Sequence, residues 1–209
     1  MSNLLIVESE NDKYFIEALI NHLNLNIEVG SPVCSIDEYE CLGGIGKLEN
    51  KLNSLKGRVA KESIETIGII FDADKKGIEQ QTKDIQEKID LVFGEESAVK
   101  FKIYIMNVEG YGELETVLKL IHSAESTVAD CLESWQECLP DKKKLNQKEF
   151  DKFWIQMYQR YDCCSKKELK QAGRKCNNEV SLKEKKIWNF DHKVLNELKE
   201  YLHELGEQK

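Results

Sequence analysis

The sequence predicts an α/β protein, with a mainly parallel central sheet flanked by helices and a helical extension at its C-terminal end. Three observations carry this. Short apolar runs alternate with helix-spaced stretches along the first 140 residues, in the order strand, helix, strand, helix, strand, helix, strand. Two of those runs end abruptly in carboxylates, Glu8 and the pair Asp72 and Asp74. Past Pro140 the charge reverses: residues 1–140 sum to −13 and residues 141–190 to +7, in a chain of net −8. The expected division is therefore an α/β domain over 1–140 and a basic helical extension over 141–209 packed on it.

The elements follow in order. "NLLIVE" (3–8) is an apolar run of the kind that forms a strand buried on both faces. "ENDKYFIEALINHLNL" (10–25) has apolar residues at 15, 16, 19, 20 and 23, a helical spacing, with Asn11 or Asp12 as its expected cap. "NIEVGSPVCSI" (26–36) reads as a strand interrupted at Gly30–Pro32. "GGIGKLENKLNSLK" (43–56) opens on glycines and continues as a helix with Ile45, Leu48, Leu52 and Leu55 on one face. "ETIGIIFDAD" (65–74) is the third strand, and 77–94 is a polar helix with Ile78, Ile85, Ile89 and Val92 aligned. In 99–108, Val99, Phe101, Ile103 and Ile105 alternate with Lys100, Lys102 and Tyr104, which fits a half-exposed strand toward an edge. Residues 112–139 read as mostly one helix.

In the extension, Asn146 and Glu149 fit a capping box, and Leu145 with Phe150 fit a hydrophobic staple. Phe150, Phe153, Trp154, Met157, Tyr158 and Tyr161 recur at helical spacing, which favours packing in a core. Residues 163–186 are polar and basic, and 188–205 close the chain as an amphipathic helix. Basic charge with aromatics also suits a nucleic-acid-binding surface, if the lysines converge beside a site.

Composition excludes some functions. The chain as a whole is acidic, so it is not a generally basic nucleic-acid binder. No run approaches the ~20 apolar residues of a membrane span. The N-terminus has no signal-peptide pattern. There are seven cysteines, with no C-x-x-C and no clustered histidines, so a zinc site is disfavoured. Reduced thiols and a cytoplasmic setting are expected.

In an open parallel sheet, ligands sit at the carboxyl ends of strands. Glu8 and Asp72–Asp74 both lie there. Two carboxylates one residue apart repel, and a hard divalent cation such as Mg²⁺ or Mn²⁺ cancels that repulsion with oxygen ligands. In an extended segment, residues i and i+2 point the same way, so Asp72 and Asp74 can face one ion. Asp before Lys-Lys-Gly is also ordinary turn chemistry.

"LLIVESENDKYF" with the downstream "IIFDAD" resembles the Toprim domain shared by topoisomerases, primases and OLD-type nucleases. Glu8 matches that family's glutamate after the first strand, Asp12 its following aspartate, and Asp72 with Asp74 its D-x-D. The resemblance covers about residues 3–120. With "GG" at 43–44 and "GELETVL" at 112–118, it extends to a small bacterial Toprim-like group related to OLD-type nucleases. It implies a metal-dependent nuclease or phosphotransferase acting on DNA or RNA, in a defence or repair setting, with an ATPase as a partner protein. It also implies Glu8, Asp72 and Asp74 as catalytic and metal-binding residues, and Glu115 as an additional metal carboxylate with Glu113 the alternative. Ser9 stands where the family usually has Gly. That departure keeps a non-catalytic nucleotide- or nucleic-acid-binding subunit as the alternative.

Gly43 and Gly44 before a helix offer backbone amides to a phosphate, with Lys47 nearby, although a plain strand-to-helix turn explains them as well. "GGIGKL" is not a P-loop, since Leu48 follows Lys47. Lys47 or Lys75 would assist electrostatically. Acids at 113 and 115 also suit the first turn of any helix.

Overall fold

The computed structural model describes residues 2–34, 44–62, 64–94 and 97–206. Strands β1 (Ser2–Val7), β2 (Glu28–Val29), β3 (Ile64–Asp72) and β4 (Lys100–Met106) form one sheet in the order β2-β1-β3-β4, with every pairing parallel. Parallel neighbours need crossover connections. Helices α1 (Glu10–Leu23), α2 (Gly44–Glu62) and α3 (Gly77–Phe93) lie between successive strands. After β4 come α4 (Leu114–Ile121), α5 (Thr127–Glu137), α6 (Gln147–Met157), α7 (Lys166–Leu169), α8 (Ala172–Lys175), α9 (Asn178–Glu184) and α10 (Asn196–Gly206). The α/β class with a parallel sheet and a helical C-terminal region is thus present. Among the described residues, no helix is long and apolar enough to cross a membrane.

Side chains alternate across the strands and build a core on each face of the sheet. On one face, Leu4, Ile6, Ile67, Ile69, Phe71 and Ile105 pack with Leu48, Leu52 and Leu55 of α2 and Ile85, Ile89 and Val92 of α3. On the other, Leu5, Val7, Ile70 and Met106 share a core with α1, α4 and residues after 140, including Phe150, Trp154, Tyr158 and Leu205. The aromatic stripe of α6 is therefore core at Phe150, Trp154 and Tyr158, while Tyr161 is exposed. Trp154 and Tyr158 stack at 5.2 Å, and the Tyr158 hydroxyl donates to the Ile187 carbonyl at 2.9 Å. α10 lies directly on the sheet. A Cβ on Gly68 would stand 2.7 Å from Leu205, Leu5 and Tyr201 atoms, so only glycine lets the helix approach this closely.

Several boundaries differ from the sequence expectation. The cap of α1 is Ser9, not Asn11 or Asp12: Ser9 and Asp12 form the two halves of a capping box. The segment expected as a strand over 26–36 is ladder-paired only at Glu28–Val29, but it follows β1 further. The Gly30, Val33 and Cys34 amides donate to the Leu5, Val7 and Glu8 carbonyls at 2.9, 3.0 and 2.9 Å. Residues 35 and 36 of that stretch lie outside the described residues. The single helix expected over 112–139 is two. Residues 121–123 pair with a distant segment, with Ser123 N donating to the Ile187 carbonyl and Asn189 N to the Ile121 carbonyl. That tertiary pairing outcompetes helix continuation. β4 is an edge strand, as its alternation implied. Cys131, Cys138 and Cys163 are free thiols, but Cys164 and Cys176 are bonded. α7 and α8 return Cys176 to a Cα separation of 6.2 Å from Cys164, within bridging range.

Candidate functional site

The register of the sheet builds the site. Val7 pairs with Ile70 and Asp72 with Met106, so Glu8 leaves the carboxyl edge beside the end of β3. The Asp72 main-chain amide and the Lys148 charge both favour ionised Glu8, but neither prevails. Burial, with Asp12 and Asp74 adding repulsion, pushes its pKa up to about 8. Burial also raises Asp72 well above the usual carboxylate range, reinforced by Asp12, Glu8, Glu115 and Glu113. Glu8 Oε2 and Asp72 Oδ1 are sealed from solvent, and neither has a hydrogen-bond partner. Gln81 fixes the strand end, donating to the Asp72 carbonyl at 2.8 Å.

α1 brings the next acid. Asp12 is buried, and its Oδ2 accepts from the Ser9 amide at 2.8 Å and the Ser9 hydroxyl at 2.7 Å. Ser9 has φ −125, an extended conformation open to any residue, so a glycine is not required there. Burial raises the Asp12 pKa against those two hydrogen bonds.

Asp74 is not simply two residues further along an extended strand. It has φ 49, in the left-handed region, so strand alternation does not set its direction. The conformation is fixed by a two-way pairing with Gly112: Asp74 N donates to the Gly112 carbonyl at 2.9 Å, and Gly112 N to the Asp74 carbonyl at 3.3 Å. Gly112 itself has φ 97.

α4 contributes two more carboxylates. Glu113 is its N-cap and Glu115 lies in its first turn, both buried. Burial raises Glu115 to about 7, with Lys152 opposing and Glu113 and Asp12 adding to the rise. Both sequence candidates on this helix therefore join the cluster.

The cations come from α6. Lys148 Nζ lies 2.9 Å from Asp74 Oδ1 and 3.0 Å from Glu113 Oε2, and Lys152 Nζ lies 3.4 Å from Glu113 Oε2. The two hydrogen-bonded carboxylates raise the Lys148 pKa despite its burial. Neither lysine was singled out in the sequence. The available signal was their four-residue spacing on α6, away from the aromatic stripe. Gly44 and Lys47 lie in the first turn of α2, and Gly43 is outside the described residues. Lys75 does line the site.

Beside the acids opens a cleft of about 400 Å³, lined by Asp74, Lys75, Tyr111, Glu113, Asn146 and Lys148 among others. Its rim is a two-residue turn. Val108 N donates to the Tyr111 carbonyl at 2.7 Å and Tyr111 N to the Val108 carbonyl at 3.1 Å, around Glu109 (φ 53) and Gly110 (φ 92).

Among the described residues, no group of three acid, histidine or cysteine side chains stands in a metal-ligating arrangement. The side-chain cations that meet the cluster are Lys148 and Lys152. The donor chemistry nonetheless suits a hard divalent ion: all the acids are oxygen donors, and two buried carboxylate oxygens are unpartnered.

No curated protein and no solved structure matches the chain. A family model described as "Protein of unknown function (DUF3226)" matches residues 2–207, nearly the full length, and the chain belongs to that family.

Proposed function

We propose that the protein is a Toprim-type, Mg²⁺- or Mn²⁺-dependent phosphoryl-transfer enzyme that cleaves phosphodiester bonds in nucleic acid. The observation that carries this reading is the pair of unpartnered buried carboxylate oxygens, Glu8 Oε2 and Asp72 Oδ1, at the carboxyl edge of a parallel sheet and beside an open cleft. Leaving such oxygens unpaired costs stability, and fold packing alone gives no return for it. Glu8, Asp72 and Asp74 would hold the ion, with Glu115 or Glu113 as the candidate additional carboxylate. Once bound, a divalent ion supplies Lewis-acid polarisation of a phosphate oxygen and a more acidic water.

The chain's own residues supply the rest. Glu8, which burial raises to about 8 in the metal-free protein, either joins the ligands of the ion or, left unligated, exchanges a proton with an attacking water or the leaving oxygen. Lys148 sits at the cleft wall, where it offsets phosphate charge. Asp12 and Ser9 close the first turn of α1 with their capping box.

A second reading is a nucleotide- or nucleic-acid-binding subunit without turnover, docked on an ATPase. The Lys148 bridge between Asp74 and Glu113 favours it, since that lysine already neutralises two of the acids.

Calorimetric titration of Mn²⁺ into wild type and Asp72→Asn, with cleavage assays on single- and double-stranded DNA and RNA, tests the proposal. Wild type should bind Mn²⁺ and cleave, and the variant should do neither. Removal of one of several repelling charges should leave its metal-free melting temperature unchanged or higher. Mn²⁺ binding that survives in Asp72→Asn defeats the site. Binding without cleavage of any substrate selects the subunit reading.

A further inference from the structure

The cleft's exposed wall is unlike the acid cluster behind it. Tyr111 is 62 % exposed although its backbone is among the most constrained at the site. The turn before it is closed by two main-chain hydrogen bonds, and Asn107 Oδ1 accepts from Gly110 N at 3.0 Å. A Cβ on Gly77 would stand 3.5 Å from Tyr111 Cε1, so the ring borders the start of α3 where no side chain crowds it. A large aromatic ring carried on a fixed turn and left open to a cleft has its backbone ordered in advance and has area to offer a planar ligand. Lys75 lies on the β3 side of the cleft and Lys148 on the α6 side.

We propose that this cleft is the subsite for one unpaired nucleotide next to the scissile phosphate, with its base stacked on Tyr111 and its phosphate met by Lys75 and Lys148. The inference rests on the phosphoryl-transfer reading above and adds the substrate class: a single strand, or the frayed end of a duplex. A cavity of about 400 Å³ is in the size range of small-ligand pockets, and a paired base inside a duplex cannot enter one. Stacking on an aromatic ring tolerates any base, so the site selects strandedness rather than sequence. Asp74 and Glu113 repel a phosphate on their own. Lys148, bonded to both, is the cation positioned to offset them.

The test is fluorescence anisotropy with fluorescein-labelled oligothymidylate and a labelled duplex of equal length, in Ca²⁺, for wild type, Tyr111→Ala and Tyr111→Phe. The single strand should bind more tightly than the duplex. Tyr111→Ala should weaken single-strand binding about 10-fold or more, the loss expected from one stacked base, while Tyr111→Phe stays close to wild type. Duplex binding should move little in either variant. Equal single-strand binding by Tyr111→Ala and wild type, or equal affinity of wild type for both probes, overturns the subsite. If wild type still binds Mn²⁺ and oligonucleotide while Tyr111→Ala matches it, the phosphoryl-transfer reading stands and only the subsite falls. If wild type binds neither, the reading beneath it fails first. Circular dichroism of both variants, compared with wild type, separates lost stacking from a disturbed fold.

Discussion

Lys148 holds together two carboxylates that arrive from different parts of the chain, Asp74 after β3 and Glu113 before α4. The lysine is 45 % exposed and Glu113 only 6 %, so the exposed pair with Asp74 contributes little, and most of the stabilisation lies in covering the buried partner. A lysine in that position competes with any divalent ion for the same negative charge. Lys148→Met should therefore tighten Mn²⁺ binding, by about 10-fold if the screened interaction amounts to ~1–2 kcal/mol. It should also lower metal-free stability by about 1 kcal/mol, because Glu113 loses its nearest cation. Calorimetry and urea denaturation of the same preparation read both quantities. Unchanged or weaker Mn²⁺ binding would mean that the ammonium is a scaffold and not a competitor. Two of these three residues were visible in sequence, since acids that end a strand or open a helix stand out against apolar neighbours. Lys148 was not, because only tertiary packing of α6 decides which of many lysines in the basic segment meets Asp74, 74 positions away.

That dependence makes α6 the element on which the site hangs. Its first turn is fixed by the Asn146–Glu149 capping box, with Asn146 Oδ1 accepting from Glu149 N at 3.1 Å and Glu149 Oε2 from Asn146 N at 3.3 Å. Its buried face places Phe150 and Trp154 in the core, which turns Lys148 and Lys152 toward α4 and the acids. Asn146→Ala should cost about 1 kcal/mol of stability. Because fraying of that turn loosens Lys148, the variant should also bind Mn²⁺ more tightly than wild type, in the same direction as Lys148→Met but by less. A stability loss with Mn²⁺ affinity unmoved would show that the cap and the site are uncoupled. The capping box was readable in advance because it is a local device spanning four residues. So were β1, β3, β4 and α1 to α3, whose apolar periodicity is written in each segment alone. The break between α4 and α5 was not, since its cause is pairing of residues 121–123 with residues 187–189, far along the chain. The left-handed Asp74 was hidden for the same reason: its partner Gly112 lies across a strand and a helix from it.

At the scale of the whole molecule, the sheet and the helices on both faces are assembled at the expense of a crowded acidic edge, and pH reveals that expense. Glu8 titrates near 8 and Glu115 near 7 in the folded protein, both above the ordinary glutamate value of 4.5. Between pH 4.5 and those values, the folded state keeps protons that the unfolded chain has already released. The unfolded state then binds fewer protons, so stability falls as pH rises. Each fully engaged group adds a slope of about 1.4 kcal/mol per pH unit, and the share of these two groups ends above about pH 8, once both are ionised in either state, while the raised Asp72 and Asp12 add to the decline in the same direction. Metal-free protein denatured with urea at half-unit steps from pH 5 to 9 should show this decline, steepest between pH 5 and 7. Glu8→Gln should flatten it by roughly one group's share, which assigns that share to Glu8. Mn²⁺ should reverse the trend, because carboxylates bind the ion only when deprotonated, so stabilisation by metal grows with pH. A metal-free profile that is level from pH 5 to 8, or a Glu8→Gln profile identical to wild type, would mean that these acids are better solvated than their burial implies. The shared origin of fold strain and metal affinity would then be lost, since the energy that a bound cation recovers is the same energy that burying the acids costs.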